Sequence, residues 1–148
     1  MNGIYALEIS LSKGANVRVG ALGDVYFKEG SYVYVGSAQR NLEKRVQRHF
    51  RKEKKLFWHI DYFLSCERAK IEKVFFRQAD KLAECEIAQE LGMRGEPVAG
   101  FGCSDCRCQS HLLWFPKSSS VQERGVFAAS KGWSKFDAYG ESVKVFMP

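Results

Sequence analysis

Hydrophobic residues in the first third of the chain follow the two-residue period of β-strands. Residues 2–11 alternate imperfectly between apolar and polar positions. Three shorter runs, rich in β-branched and aromatic residues and separated by turn residues, follow at 17–19, 25–27 and 32–35. Consecutive strands joined by short turns favour antiparallel pairing. The pattern therefore predicts a β-meander in which Tyr5 and Tyr34 lie on neighbouring strands.

The period then changes to that of amphipathic helices. Three helices are predicted, over about residues 41–53, 57–65 and 80–93. Asn41 can cap the first helix, and Leu82, Ile87 and Leu91 form the apolar stripe of the third. Strands are predicted over 69–77, 111–115 and 142–146, with a short helix in the tail before the last of them.

Length and composition are those of one globular domain. The chain has 148 residues, of which 45% are hydrophobic, enough to bury a core. We expect a single domain over 1–148, with a core over about 1–116 and a less regular tail over 117–148. No run of about 18 apolar residues occurs, and the first residues lack the pattern of a secretion signal. We therefore expect no membrane span and a cytoplasmic location.

Positive charge is concentrated in residues 40–55. The chain carries a formal net charge of +6, and eight Lys or Arg residues in this segment stand against Glu43 and Glu53. Charge runs are usually solvated helix faces. Here, however, the signs do not alternate, and like charges this close favour a polyanionic partner. DNA or another phosphate-bearing molecule is the expected partner.

The same region carries residue types suited to phosphodiester hydrolysis. Arg45 and His49 are four residues apart and share a helix face, and His59 follows. A guanidinium binds phosphate oxygens in pairs and stays charged, while histidine transfers protons near neutral pH. Tyr5 and Tyr34 can hold a water, or act as a base if their pKa is depressed. Each type more often has an ordinary structural role, so it is their combination that favours a catalytic site.

Two short motifs resemble the signatures of the GIY-YIG nucleases: Gly3-Ile4-Tyr5 in the first strand and Tyr34-Val35-Gly36 in a later one. The sequence GSAQRNLEKRVQRHF at 36–50 is similar to the arginine–histidine helix of that family. The resemblance implies a small α/β (α+β) fold with a central antiparallel sheet of three strands flanked by helices. An inserted hairpin at about 13–30 would be an addition to that core.

The resemblance also implies an activity and its residues. The activity would be endonucleolytic cleavage of DNA with one divalent metal, Mg²⁺ or Mn²⁺, in a process such as DNA repair. The tyrosines would orient or activate water, the arginine would be catalytic and the histidines would assist: Tyr5, Tyr34, Arg45, His49 and His59. Glu84 would bind the metal, with Glu86 as the less favoured register. The remaining cations would hold the DNA backbone: Lys44, Arg48, Arg51, Lys52, Lys54 and Lys55.

Alternatives concern both the activity and the cysteines. A catalytically inactive nucleic-acid-binding module of the same fold would keep the basic helix without turnover. The five cysteines, an odd number, argue against a disulfide framework. One loop carries metal-ligand residue types that Zn²⁺ accepts: Cys103, Cys106, Cys108 and His111. Their spacing is not one of the common zinc patterns, so a structural loop is favoured over a zinc site or a metal sensor.

Overall fold

The strands and helices follow the predicted order closely. A computed structural model describes residues 2–103, 106–116, 127, 132–139 and 142–146. Its strands are β1 (Gly3–Leu11), β2 (Ala15–Arg18), β3 (Asp24–Phe27), β4 (Gly30–Ala38), β5 (Ala69–Arg77), β6 (Glu96–Pro97), β7 (Leu112–Phe115), β8 (Ser134–Tyr139) and β9 (Ser142–Phe146). Its helices are α1 (Leu42–Phe50), α2 (His59–Leu64) and α3 (Leu82–Gly92), with a 3₁₀ turn over Gly20–Leu22.

The sheet is built around β1, which pairs antiparallel with β4 on one side and β5 on the other. Within the described residues it has seven strands in the order β6-β7-β4-β1-β5-β8-β9, and β2 and β3 form a separate hairpin. This confirms the predicted α+β class with an antiparallel centre and an inserted hairpin. The sheet is wider than three core strands because β7 and β8 pair with the outer edges of β4 and β5, which would otherwise be open.

Side chains of β1 alternate between two covered faces. Tyr5, Leu7 and Ile9 pack with residues of α1, α2 and the hairpin, whereas Ile4 and Ala6 pack with residues of α3. Because both faces are buried, β1 is apolar at most positions. This explains why its sequence alternates only imperfectly.

Two helix details differ from expectation. Leu82 is 79% exposed, because the first turn of α3 lies at a cleft rather than on the sheet. Only Ile87, Ala88 and Leu91 of this helix are buried. Asn41 occupies the N-cap position of α1, but its side chain makes no capping hydrogen bond. It instead adopts a left-handed backbone with φ of 50°, which asparagine tolerates better than most residues.

The tail adds β8 and β9 to the sheet, and the predicted closing strand is β9. The short helix predicted before that strand lies outside the described residues. None of the described helices is long and apolar enough to cross a membrane.

Candidate active site and metal-binding group

An open cleft of about 970 Å³ lies where β1 begins and β4 ends. Its lining includes five of the residues predicted for catalysis or metal binding: Tyr5, Tyr34, Arg45, His59 and Glu84. They come from β1, β4, α1, α2 and α3 in turn. We call this space the tyrosine cleft. The fold thus gathers side chains that are far apart in the sequence.

Tyr5 of the first motif packs against Gly36 of the second. Tyr5 lies opposite Gly36 in the β1–β4 pairing, and a Cβ at position 36 would lie 2.5 Å from both Cζ and the hydroxyl oxygen of Tyr5. That distance is far inside van der Waals contact. The Tyr34 ring lies 6.4 Å from the Tyr5 ring between centroids, which confirms that the tyrosines are neighbours. β4 continues through Gly36 rather than ending before it.

His49 contacts Tyr5 from beneath the cleft lining. The Tyr5 hydroxyl oxygen lies 2.7 Å from His49 Nε2, and His49 is only 2% exposed. Burial, aided by the nearby Lys54 charge, lowers the pKa of His49 to about 3. The imidazole is therefore neutral near pH 7. Its Nδ1 has no hydrogen-bond partner among the described residues.

Tyr5 and Tyr34 are both protonated near neutral pH. Burial raises the pKa of Tyr5 well above its ordinary value, although Arg45 opposes this by its charge and by a hydrogen bond. Burial, with contributions from Tyr5 and Glu84, also raises the pKa of Tyr34. Sequence reasoning allowed a tyrosine base if the pKa were depressed. The structure shifts both pKa values in the opposite direction, so the phenols can orient water or phosphate but do not ionise.

Arg45 extends from α1 into the cleft. Its Nη1 donates a hydrogen bond to the Ser37 carbonyl oxygen at 3.2 Å. Its guanidinium carbon lies 4.6 Å from the centroid of the Trp58 ring, within range of a cation–π attraction. These contacts hold the side chain in place while its charge faces the cleft.

A buried carboxylate fixes Trp58 and joins α1 to α2. Arg48 donates two hydrogen bonds to Asp61, at 2.8 and 2.9 Å. The backbone N–H groups of Phe57 and Trp58 donate to the same carboxylate, each at 2.9 Å. Burial alone would raise the pKa of Asp61, but these hydrogen bonds outweigh it and hold the pKa below its ordinary value.

Half of the cations predicted to hold DNA make hydrogen bonds inside the protein. Arg48 binds Asp61, Lys52 donates to carbonyls of the last residue of α2 and the first of β5, and Lys54 donates to two carbonyls near the end of α1. Burial lowers the pKa of Lys54 to about 8. The other three, Lys44, Arg51 and Lys55, are exposed, and so is Lys52.

His59 connects the cleft to the cysteine loop. Its Nδ1 accepts a hydrogen bond from the Gly102 backbone N–H at 2.9 Å, and burial lowers its pKa. The neutral ring therefore carries its proton on Nε2. Gly102 has φ of +75°, and a Cβ there would lie 3.1 Å from His111 Cβ, so the loop passes closely between the two histidines.

Glu84 is the cleft carboxylate. It is half-buried on the first turn of α3, whereas Glu86 and Glu90 are exposed. Its charge contributes to the raised pKa of Tyr5 and of Tyr34. Mg²⁺ usually binds one or two carboxylates and substrate phosphate while keeping several waters. A single glutamate in an open cleft with an arginine fits that requirement.

A second group of side chains could bind a metal. Its four ligand atoms all lie within 4.8 Å of one another and belong to Cys85, Cys106, Cys108 and His111. The sequence-based set named Cys103 in place of Cys85. Cys103 instead donates to the Phe101 carbonyl oxygen at 3.4 Å. Burial and the neighbouring thiols, chiefly Cys108, raise the pKa of Cys85 to about 12.

Sequence reasoning missed several residues of both sites. Trp58, Arg40 and Lys81 line the cleft, and each lies next to or near a predicted site residue in the sequence. The sequence offered one indication for Cys85: it directly follows Glu84, a predicted metal ligand. No sequence spacing links it to the cysteine loop, because the fold alone brings α3 to that loop.

The fold and side chains define an α+β protein with a tyrosine- and arginine-lined cleft next to a potential Cys/His metal-binding group. The chain belongs to the family described as Domain of unknown function DUF123, whose model matches residues 4–131. No curated protein and no solved structure matches it. The matched span includes every cleft residue and all four potential metal ligands.

Proposed function

We propose that this protein is a metal-dependent endonuclease that hydrolyses phosphodiester bonds of DNA, in DNA repair or recombination. The observation that carries the proposal is the convergence of Tyr5, Tyr34, Arg45 and Glu84 on one cleft. Phosphodiester hydrolysis requires a positioned water, a cation for the developing charge and a hold on the phosphate. The cleft offers a group for each of these tasks.

Arg45 is the cation of this proposal. It is held by the Ser37 carbonyl and the Trp58 ring, so its orientation is set before a substrate binds. A preorganised charge stabilises a transition state more than one that must move into place. The guanidinium would bind the non-bridging oxygens of the scissile phosphate.

The tyrosines orient the reacting groups as neutral phenols. Tyr5, fixed by His49 and Gly36, would hold the attacking water or a phosphate oxygen by hydrogen bonding. Tyr34 would do the same from the adjacent strand. His59, with its proton on Nε2, can donate a hydrogen bond to the leaving oxygen.

Glu84 would hold the divalent metal. When bound, Mg²⁺ supplies Lewis-acid stabilisation of phosphate charge and lowers the pKa of bound water. The carboxylate reaches the cleft from α3, while Arg45 reaches it from α1. DNA would therefore contact the protein between these two helices, with the exposed Arg40 and Lys81 nearby.

The proposal is tested with purified protein, Mg²⁺ or Mn²⁺, and a panel of duplex, mismatched, branched and single-stranded DNA. Arg45→Ala and Glu84→Gln should each lower the cleavage rate by about 100-fold or more. Glu86→Gln is the matched control for Glu84→Gln, because its carboxylate is two residues away and exposed. Absence of cleavage of every substrate, or equal loss in the two glutamate variants, contradicts the proposal.

A second candidate is a nucleic-acid-binding module without turnover. It is favoured by the pKa shifts of Tyr5, Tyr34 and His49, which all move away from neutrality and so from the optimum of a general base. This candidate predicts salt-sensitive DNA binding with intact phosphodiesters. It also predicts that Glu84→Gln leaves binding unchanged whether Mg²⁺ is present or absent.

A further inference from the structure

We infer that Cys85, Cys106, Cys108 and His111 form a structural Zn²⁺ site that fastens α3 to the loop preceding β7. The inference rests on the geometry of these four side chains and not on the proposed nuclease activity. The inferred site differs from the one predicted from the sequence, because one ligand comes from a helix rather than from the loop.

Two of the potential thiol ligands lie close to His111. Its Nε2 lies 3.3 Å from Cys106 Sγ and 3.9 Å from Cys85 Sγ. All four potential ligand atoms lie within 4.8 Å of one another. Ligands of one tetrahedral zinc, with bonds of about 2.0–2.3 Å, must lie within such a distance of each other.

The His111 ring is oriented so that its Nε2 faces the thiols. Its Nδ1 lies 3.3 Å from the Val35 carbonyl oxygen. A carbonyl only accepts hydrogen bonds, so Nδ1 carries the proton and Nε2 presents its lone pair to the thiols. Metal-bound histidines commonly donate their other N–H to a carbonyl or carboxylate in this way. His111 is 3% exposed, so this arrangement is fixed by packing.

The ligand types select the metal. Three thiols and one imidazole form a Cys₃His set, which is a common structural zinc site and is too soft for Mg²⁺. Iron–sulfur clusters generally take four thiolates. Cys103 is the nearest additional cysteine in the loop, and its thiol hydrogen-bonds to the Phe101 carbonyl.

The site would connect three parts of the protein. Cys85 is on α3, Cys106 and Cys108 are in the loop, and His111 contacts β4 through Val35. Because these elements are distant in the sequence, zinc would restrict their relative positions much as a cross-link does. Loss of the metal would lower the stability of the folded chain.

The test is the metal content of wild-type protein purified without added zinc and without chelator. Elemental analysis should find about one zinc per chain. Cys85→Ser and Cys108→Ser should lower this to about a tenth or less, whereas Cys103→Ser, the matched control, should retain it. Cobalt substituted for zinc should give thiolate-to-metal charge-transfer bands and the intense visible bands of a tetrahedral site.

The wild-type measurements decide the question even if a cysteine variant fails to fold. Iron with sulfide, wild-type protein free of metal, disulfides among these cysteines, or zinc lost in Cys103→Ser but retained in Cys85→Ser would each overturn the assignment. None of these readouts depends on DNA cleavage. A zinc-loaded protein that does not cut DNA would therefore refute only the proposed function.

Discussion

At position 36 the backbone of β4 leaves room for the ring of Tyr5 because glycine has no Cβ. The glycine of one motif and the tyrosine of the other are therefore parts of one packing unit. This explains in physical terms why both motifs occur together on paired strands. The same packing fixes the tyrosine hydroxyl against His49.

Gly36→Ala should destabilise the fold by about 1–3 kcal/mol, because the added methyl group displaces the Tyr5 ring. Urea denaturation measures the loss. Gly92→Ala is the control, since a Cβ there meets nothing closer than 3.8 Å. We expect no loss, and up to about 1 kcal/mol of gain, at that helical position. The cost of Gly36→Ala should fall in a Tyr5→Leu background; an unchanged cost would refute the steric explanation.

His49 should make stability fall as the pH is lowered. Its pKa is about 3 in the folded protein, against an ordinary value of 6.5. The unfolded chain therefore binds a proton that the folded chain excludes, so stability is full above about pH 6.5 and is lost towards lower pH. Between about pH 7 and pH 5 this group alone should remove about 2 kcal/mol.

Urea denaturation across that pH range tests the sign and the source of this loss. His49→Gln should flatten the pH dependence, whatever its effect on absolute stability. His59→Gln should leave most of the dependence in place. The charged neighbours of His49 are Lys54, Asp61, Arg48 and Arg45. An unchanged pH dependence in His49→Gln would assign the effect to another group.

At the residue scale, sequence reasoning found side-chain types but not their ionisation. Tyr5, Arg45 and Glu84 could be selected because their motifs are local. The shifts in pKa could not be predicted, since they arise from burial by residues that are distant in the chain. Cys85 was missed for the same reason.

At the scale of elements, the α1–α2 junction depends on one buried carboxylate. Asp61 is 0% exposed and accepts four hydrogen bonds, two from Arg48 and two from backbone N–H groups. Together they fix the start of α2 and the backbone of Trp58, whose ring contacts Arg45. The relative position of α1 and α2 is thus fixed by polar contacts as well as by apolar packing.

Asp61→Asn should destabilise the protein by about 3–5 kcal/mol, because it leaves the Arg48 charge without its partner in a largely buried place. Thermal or urea denaturation measures this loss. Glu53→Gln removes an exposed carboxylate from the same segment and should change stability by less than about 0.5 kcal/mol. Comparable losses in the two variants would contradict the assigned role of Asp61.

The boundaries of strands and helices could be predicted where the hydrophobic period along the sequence was strong. The strand predicted over 69–77 is β5 without change, and α3 lies within the predicted 80–93. Leu82 was wrongly expected to be buried, since helical periodicity identifies a face but not how much of the helix the sheet covers. Of the outer strands, β7 and β9 were predicted over 111–115 and 142–146, whereas β6 and β8 were not. The places of all four in the sheet depend on tertiary pairing, which the period alone does not give.

At the scale of the whole molecule, the basic segment divides into cations that hydrogen-bond within the protein and exposed cations that face solvent. If DNA binds as proposed, Lys44→Ala, Arg51→Ala and Lys55→Ala should each lower the slope of log affinity against log salt by about 0.9. Lys54→Ala should leave the slope nearly unchanged, because its ammonium group donates to carbonyls of α1. Fluorescence anisotropy with labelled duplex DNA over a range of salt measures both slopes. Equal slope changes for Lys54 and the exposed cations would contradict this division.

The central place of β1 has a consequence for how the chain folds. β1 comes first in the sequence, yet β5, one of its two neighbours, follows much later, and α3, which covers one of its faces, later still. At about 5–20 residues per second, a ribosome needs several seconds to progress from the end of β1 to the end of β5. Such distant pairing also makes folding slow. One edge of β1 therefore stays unpaired until β5 has been synthesised, and the tyrosine cleft is completed only after Gly102, the last of its lining residues in the sequence, has left the ribosome.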